Sequence, residues 1–153
     1  MLNEKPDAVL FSSGPGNPNN AVEVIEIAKK LFGKVPIFGI GLGMQVLAIA
    51  LGASVEKMTC GHHGENYPVI DTHSGKVLIT SQAHDFAPWQ NSMDKSLHIT
   101  YKNVNDGTVE GFSNYELNTH GILFHPGVDP LEKEADIVIQ DWLKLLEDKD
   151  AQG

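Results

Sequence analysis

Two short apolar runs, each passing directly into a glycine-rich loop and then into a helical pattern, constrain this chain most. Ala8-Val9-Leu10-Phe11 reads as a buried strand and runs into Ser12-Ser13-Gly14-Pro15-Gly16-Asn17-Pro18-Asn19-Asn20, a dense cluster of turn formers. Ala21 to Phe32 then sets Val24, Ile27, Ala28 and Leu31 at helical spacing, with Asn20 placed to cap the start and Gly33 to end it. Pro36-Ile37-Phe38 repeats the strand signal and passes into Gly39-Ile40-Gly41-Leu42-Gly43. Met44 to Leu51 is nearly all apolar, as a buried helix would be, and Gly52 closes it. Strand, loop, helix, twice over, predicts an α/β fold with a parallel sheet.

The second half changes character. Residues 76–80, 97–101, 108–112 and 121–124 are short strand candidates, separated by turns at residues 105–107 and 114–119. Residues 134–147 read as a helix with an apolar stripe of Ile137, Ile139, Trp142, Leu143 and Leu146, followed by a polar tail, 148–153, expected to fray. There is no repeat, low-complexity stretch or linker, so residues 1–153 are expected to form one domain.

Charge narrows the function classes. The chain carries 20 acidic and 11 basic residues, net −9, and every basic residue is lysine. Arginine is the usual bidentate partner of phosphate and guanine, so its absence argues against nucleic-acid binding. The N-terminus lacks the apolar run of a signal peptide, and no stretch is long enough to span a membrane. The expectation is a cytoplasmic domain with no membrane association.

In a parallel sheet, ligands sit beyond the carboxyl ends of the strands. Three loops would leave strands there: Gly14-Pro15-Gly16, Gly39 to Gly43, and His125-Pro126-Gly127. Glycines flanking a tight strand-to-helix turn form the frame of a nucleophile elbow, whose middle residue projects a Ser or Cys. Here the middle residue is Gly41, so the turn is present without the nucleophile. Gly39-x-Gly41 also starts a dinucleotide-binding fingerprint, but Met44 stands where the third glycine belongs, and only Glu56 loosely matches the later acid. Cys60, the single thiol, lies outside the elbow and reads as structural or incidental. His62, His63, His73 and His84 have no recognised ligand spacing, so no metal and no cofactor is expected. Trp89 and Trp142 read as core or loop packing rather than as ligand-stacking residues.

Taken together, Phe11 to Pro18, Phe38 to Gln45, Gly61-His62-His63-Gly64, Thr80 to His84, Asn105 to Gly111 and Phe124-His125-Pro126 occur in an order that resembles the class I (triad) glutamine amidotransferase domain. Within that family the resemblance is to the small subunit of glutamine-hydrolysing carbamoyl-phosphate synthase, and it covers about Pro6 to Leu146. It implies an incomplete flavodoxin-like α/β fold, with a mostly parallel sheet, helices on both faces and extra antiparallel strands in the second half. It also implies glutamine hydrolysis, with ammonia passed to a large synthase subunit, and a place in pyrimidine and arginine biosynthesis. In such a site a Cys attacks the amide to give a thioester, a His transfers protons, and a Glu orients the His.

This sequence departs from that pattern at named positions. The family's G-I-C-L-G-H-Q is Gly39 to Gln45 here, so the Cys position is Gly41 and the following His is Met44. F-H-P-E becomes Phe124 to Gly127, keeping His125 but placing Gly127 where the Glu belongs. S-Q-N-H-G-F becomes Ser81 to Phe86, with Ala83 for Asn and Asp85 for Gly. Gly14, Gly16, Leu42, Gln45 and Phe86 match the substrate-binding pattern. The resemblance therefore implies a catalytically dead domain that serves as a binding or structural partner of a synthase subunit. The competing readings are an active subunit supplying ammonia for carbamoyl phosphate, a gene fragment without a role, and a dinucleotide-binding domain. The family also carries strands ahead of the Gly14-Pro15-Gly16 loop. Their absence here leads us to expect pairing with a missing N-terminal fragment or another polypeptide, self-association, or marginal stability.

Overall fold

The computed structural model describes residues 5–126 and 133–152. The chain order is β1 (Val9–Phe11), α1 (Val22–Leu31), β2 (Ile37–Ile40), α2 (Leu42–Ala50), β3 (Val55–Asp71), β4 (Val77–Pro88), β5 (His98–Asn103), β6 (Val109–Asn114), β7 (Thr119–Ile122) and α3 (Lys133–Gln152). The seven strands form one sheet in the order β1-β2-β7-β6-β5-β3-β4. β1, β2 and β7 run parallel, and the remaining neighbours pair antiparallel. The α/β class is as expected, with early parallel strands followed by antiparallel ones. The antiparallel part is larger than the sequence indicated, because Val55–Asp71 is a strand that no alternation announced.

Consecutive residues of a strand face opposite sides of the sheet, and this chain uses both faces. Ile37 joins Leu47, Ala48, Ala28 and Leu31 in the core under α1 and α2. Its neighbour Phe38 joins Val69, Ile122, Phe124 and Trp142 in a second core under α3. Phe38 and Trp142 meet with ring centroids 4.9 Å apart. Helices therefore cover both faces, as the resemblance implied.

Several local expectations shift by a residue or two. The buried face of α1 is Ile25, Ala28 and Leu31, while Val24 and Ile27 are exposed. An apolar residue on each side of the i, i+3, i+6 row made the stripe look wider than the face that packs. In α3, Val138, Ile139, Trp142 and Leu146 make the contact, and Ile137 and Leu143 face solvent. That helix continues to Gln152, past the expected end at residue 147. Asn20 does not cap α1: Asn17 caps a 3-10 turn at Pro18–Asn20, and Ala21 begins the helix without a side-chain bond. Trp142 is buried in the core, and Trp89, 54% exposed, sits in the loop after β4. No helix among the described residues is long and apolar enough to cross a membrane.

Candidate functional site

The carboxyl ends of β1, β2 and β7 lie side by side, so the loops that follow them converge. One pocket of about 420 Å³ is lined by Ser13, Gly14, Gly16, Gly41, Leu42, Gln45, Ala83, Asp85 and Phe86, among others. Residues from three distant parts of the sequence thus meet in one place. His125 stands beside them: a Cβ built on Gly41 would lie 3.5 Å from its imidazole Cε1. Of the ten positions singled out from the sequence, nine are brought together. The tenth, Gly127, lies outside the described residues.

The elbow is built by its backbone. Gly41 has φ 56° and ψ −117°, a left-handed conformation that favours glycine. Its N–H donates to the Ile122 carbonyl of β7 at 2.9 Å, and its carbonyl accepts the first helical bond from Gln45 N–H at 3.1 Å. Leu42 is the first residue of α2, where N–H groups lack intrahelical acceptors and the helix dipole favours negative charge. The Gly14 loop packs on this end of α2, with the Gly14 Cβ position 3.3 Å from a Leu42 methyl. Space at Gly41 is restricted, because a Cβ there would sit 2.6 Å from the Ser13 Oγ.

β4 supplies the opposite wall. Gln45 Nε2 donates to the Phe86 carbonyl at 2.8 Å, tying α2 to that wall. His125 N–H donates to the Ser81 carbonyl at 2.9 Å, which fixes the residue after β7 against β4. Burial, together with the nearby His84, holds the His125 imidazole below its ordinary pKa. Asp85 pairs with His63 at 2.8 Å on the exposed rim. That hydrogen bond holds its carboxyl below the usual range, so a negative charge stands at the pocket mouth.

His84, which also lines the pocket, belongs to a buried polar cluster beside it that sequence spacing did not reveal. His62 Nδ1 lies 2.7 Å from Gln82 Oε1 and 3.2 Å from Glu110 Oε1, and His62 Nε2 lies 2.9 Å from Asp106 Oδ2. His84 Nε2 is 3.0 Å from Gln82 Oε1. Glu110 is fully buried. Sequence spacing sets no carboxylate in a recognised pattern around His62 and His84; Glu110 arrives from 48 residues beyond His62. His63 points to the exposed rim, and His73 sits in the turn after β3, so neither joins the cluster.

The hydrogen bond to Glu110, opposed by burial and reinforced by Asp106, raises the His62 pKa to about 9. A raised histidine pKa stabilises the fold fully below the ordinary value near 6.5, and that contribution disappears as pH rises through about 9. Thermal melts in chelating buffer should therefore show stability falling between pH 6.5 and 9.5 by about 2–3 kcal/mol. The decline should be absent in His62→Gln.

Cys60 is exposed on β3, lines a different depression and does not approach Gly41. It is not positioned as a substitute nucleophile.

Comparisons with known proteins agree with this arrangement. Residues 1–145 match the family described as glutamine amidotransferase class-I. The carbamoyl phosphate synthase small chain of Bacillus caldolyticus is 40% identical over 100% of this chain and 42% of its own length. The pyrimidine-specific small chain of Bacillus subtilis (strain 168) is 38% identical, again over 100% of this chain and 42% of its own. The chain thus spans less than half the length of these relatives. Among solved structures, a glutamine amidotransferase from Thermotoga maritima superposes with TM-score 0.70 at 21% identity, covering 96% of this chain and 66% of its own. A glutamine amidotransferase from Methylobacillus flagellatus gives 0.68 at 16% identity, covering 80% and 52%. At those identities the structures speak for the fold alone, and the dinucleotide-binding alternative gives way. With the match running over nearly the whole sequence, the chain belongs to the class-I glutamine amidotransferase family.

Proposed function

We propose that this domain, of the carbamoyl phosphate synthase small-chain type, is inactive as a glutaminase and acts as a binding or structural partner of a large synthase subunit. The observation that carries the reading is Gly41. It holds the elbow conformation with no side chain to attack an amide, and the described residues place no thiol near it. His125, Gly14, Gly16, Leu42, Gln45 and Phe86 are then the remains of a glutamine pocket, and Ala83, Asp85 and Gly127 its altered positions. Without a nucleophile the pocket can bind an amide but cannot form the thioester.

Exposed apolar groups support the partner role. Leu10 is exposed on the edge strand β1, and Val22, Val24 and Ile27 are exposed on the outer side of α1, across the sheet from it. An open strand edge beside apolar side chains favours association with another polypeptide.

Isothermal titration with glutamine tests the pocket, and titration with NAD serves as a negative control. Weak, saturable glutamine binding is expected; because glutamine is a zwitterion whose ammonium and carboxylate respond oppositely to Asp85, Asp85→Gly should change it by no more than about threefold. No heat with glutamine in either protein would contradict the binding part. Co-purification with a large synthase subunit tests the partner part, and a protein that stays separate and monomeric in its presence would contradict it.

A further inference from the structure

We propose that the buried cluster beside the pocket, which shares His84 with the pocket wall, is a binding site for a divalent transition-metal ion of the zinc type, held by His62, His84, Glu110 and Gln82. One ligand atom from each of His62, His84 and Glu110 lies within 4.8 Å of the others, and all three residues are buried. The side-chain contacts name the atoms. His62 Nδ1 is 3.2 Å and His84 Nε2 is 3.7 Å from Glu110 Oε1. Gln82 Oε1 is 2.7 Å from the first nitrogen and 3.0 Å from the second. A tetrahedral zinc with bonds near 2.1 Å places its ligand atoms about 3.4 Å apart, within the spread seen here.

The neighbouring groups already have the arrangement of outer-shell partners. Gln82 Nε2 donates to Thr80 Oγ1 at 3.1 Å, which turns the amide oxygen toward the histidines. Asp106 accepts from His62 Nε2–H, which fixes that ring and leaves Nδ1 facing inward. A carboxylate behind a ligating histidine is a common feature of metal sites.

A second, independent observation comes from atoms left without partners. Glu110 Oε2 and His84 Nδ1 are buried and make no hydrogen bond. An orphaned carboxylate oxygen on a side chain with no exposure is costly, and a cation held beside the Glu110 carboxylate would offset that cost. Two imidazoles with a carboxylate and an amide oxygen favour zinc, nickel or copper over magnesium or calcium, which prefer all-oxygen shells. Access runs past Asp106, which is partly exposed and lines a surface depression of about 670 Å³.

The protein is stripped with chelator, exchanged into chelator-free buffer and titrated with Zn²⁺ by calorimetry, with Co²⁺ as a spectroscopic probe. One ion per chain, the visible bands of tetrahedral cobalt and a melting temperature that rises until one equivalent is bound are expected. Glu110→Gln and His62→Gln should each weaken Zn²⁺ binding roughly tenfold or more, with circular dichroism confirming the fold. Cys60→Ser and His63→Ala, at exposed alternative ligands, should leave it unchanged. Absence of saturable binding in the unaltered protein overturns the proposal, as does an octahedral cobalt spectrum. Loss of binding in the Cys60 or His63 variant also overturns it, by locating the ion at the surface. Should either buried variant fail to fold, the other and the cobalt spectrum of the unaltered protein still decide.

Discussion

A variant combining Gly41→Cys, Ser13→Gly, Ala83→Asn and Gly127→Glu should release ammonia from glutamine at least about a thousandfold faster than the unaltered chain. Losing a nucleophile from a triad costs on the order of a millionfold, because its members act as a unit. The gain on restoring it is correspondingly large where the frame persists. That frame is in place at Gly41: the turn is held by Ile122, the helix starts at Leu42, and His125 lies on the side a Cys would face. Two local obstacles set the choice of substitutions. A Cβ at residue 41 meets Ser13 Oγ at 2.6 Å and Ser13 Cβ at 3.2 Å, so Gly41→Cys alone is crowded and Ser13→Gly makes room. The positive φ costs any non-glycine residue about 1–2 kcal/mol, which the variant must bear as lower stability. Ala83→Asn and Gly127→Glu follow the family pattern. A coupled assay for glutamate, with the single Gly41→Cys variant alongside, separates the effect of the nucleophile from that of its surroundings. A folded quadruple variant with no activity would contradict the claim that the pocket is otherwise intact.

The second large effect is on folding. Gly43→Ala should destabilise the protein by about 4 kcal/mol or more, enough to prevent cooperative folding. A Cβ at residue 43 would lie 2.0 Å from the Phe11 carbonyl oxygen and 2.5 Å from its carbon. Both atoms belong to the backbone of β1, so no rotamer change relieves the overlap. Either α2 lifts from the sheet or β1 leaves its place beside β2. Gly52→Ala is the control. Unlike Gly43 it has a positive φ, 94°, but its Cβ meets nothing within 4 Å, so about 1–2 kcal/mol is expected from backbone strain alone. Denaturant titrations followed by circular dichroism measure both. Equal effects at the two positions would show that the close approach of α2 and β1 is unimportant.

The glycines of the elbow show why the site was legible in the sequence. Gly39, Gly41 and Gly43 are spaced by the crowding of a strand-to-helix turn, and a pattern imposed by sterics survives when the nucleophile is gone. His125 was legible for a similar reason, standing just past a strand that ends at the same edge. β3 was not. It carries Gly61, Gly64, Pro68 and many polar residues, and its pairing with β4 shifts register twice, so no period-2 pattern develops. Glu110 was invisible as a site residue because its partnership with His62 and His84 exists only once β6 lies near β3 and β4. The face of α1 was misplaced because Val24 and Ile27 are apolar residues on an outer surface, where burial and hydrophobicity part company.

On the proposed function, a glutamine amidotransferase pocket persists here without its chemistry. The most direct test is glutamate formation by the unaltered chain at saturating glutamine, measured alone and after addition of a large synthase subunit. No glutamate above the uncatalysed background is expected in either case. Turnover at ordinary enzymatic rates, about one per second or faster, would contradict it.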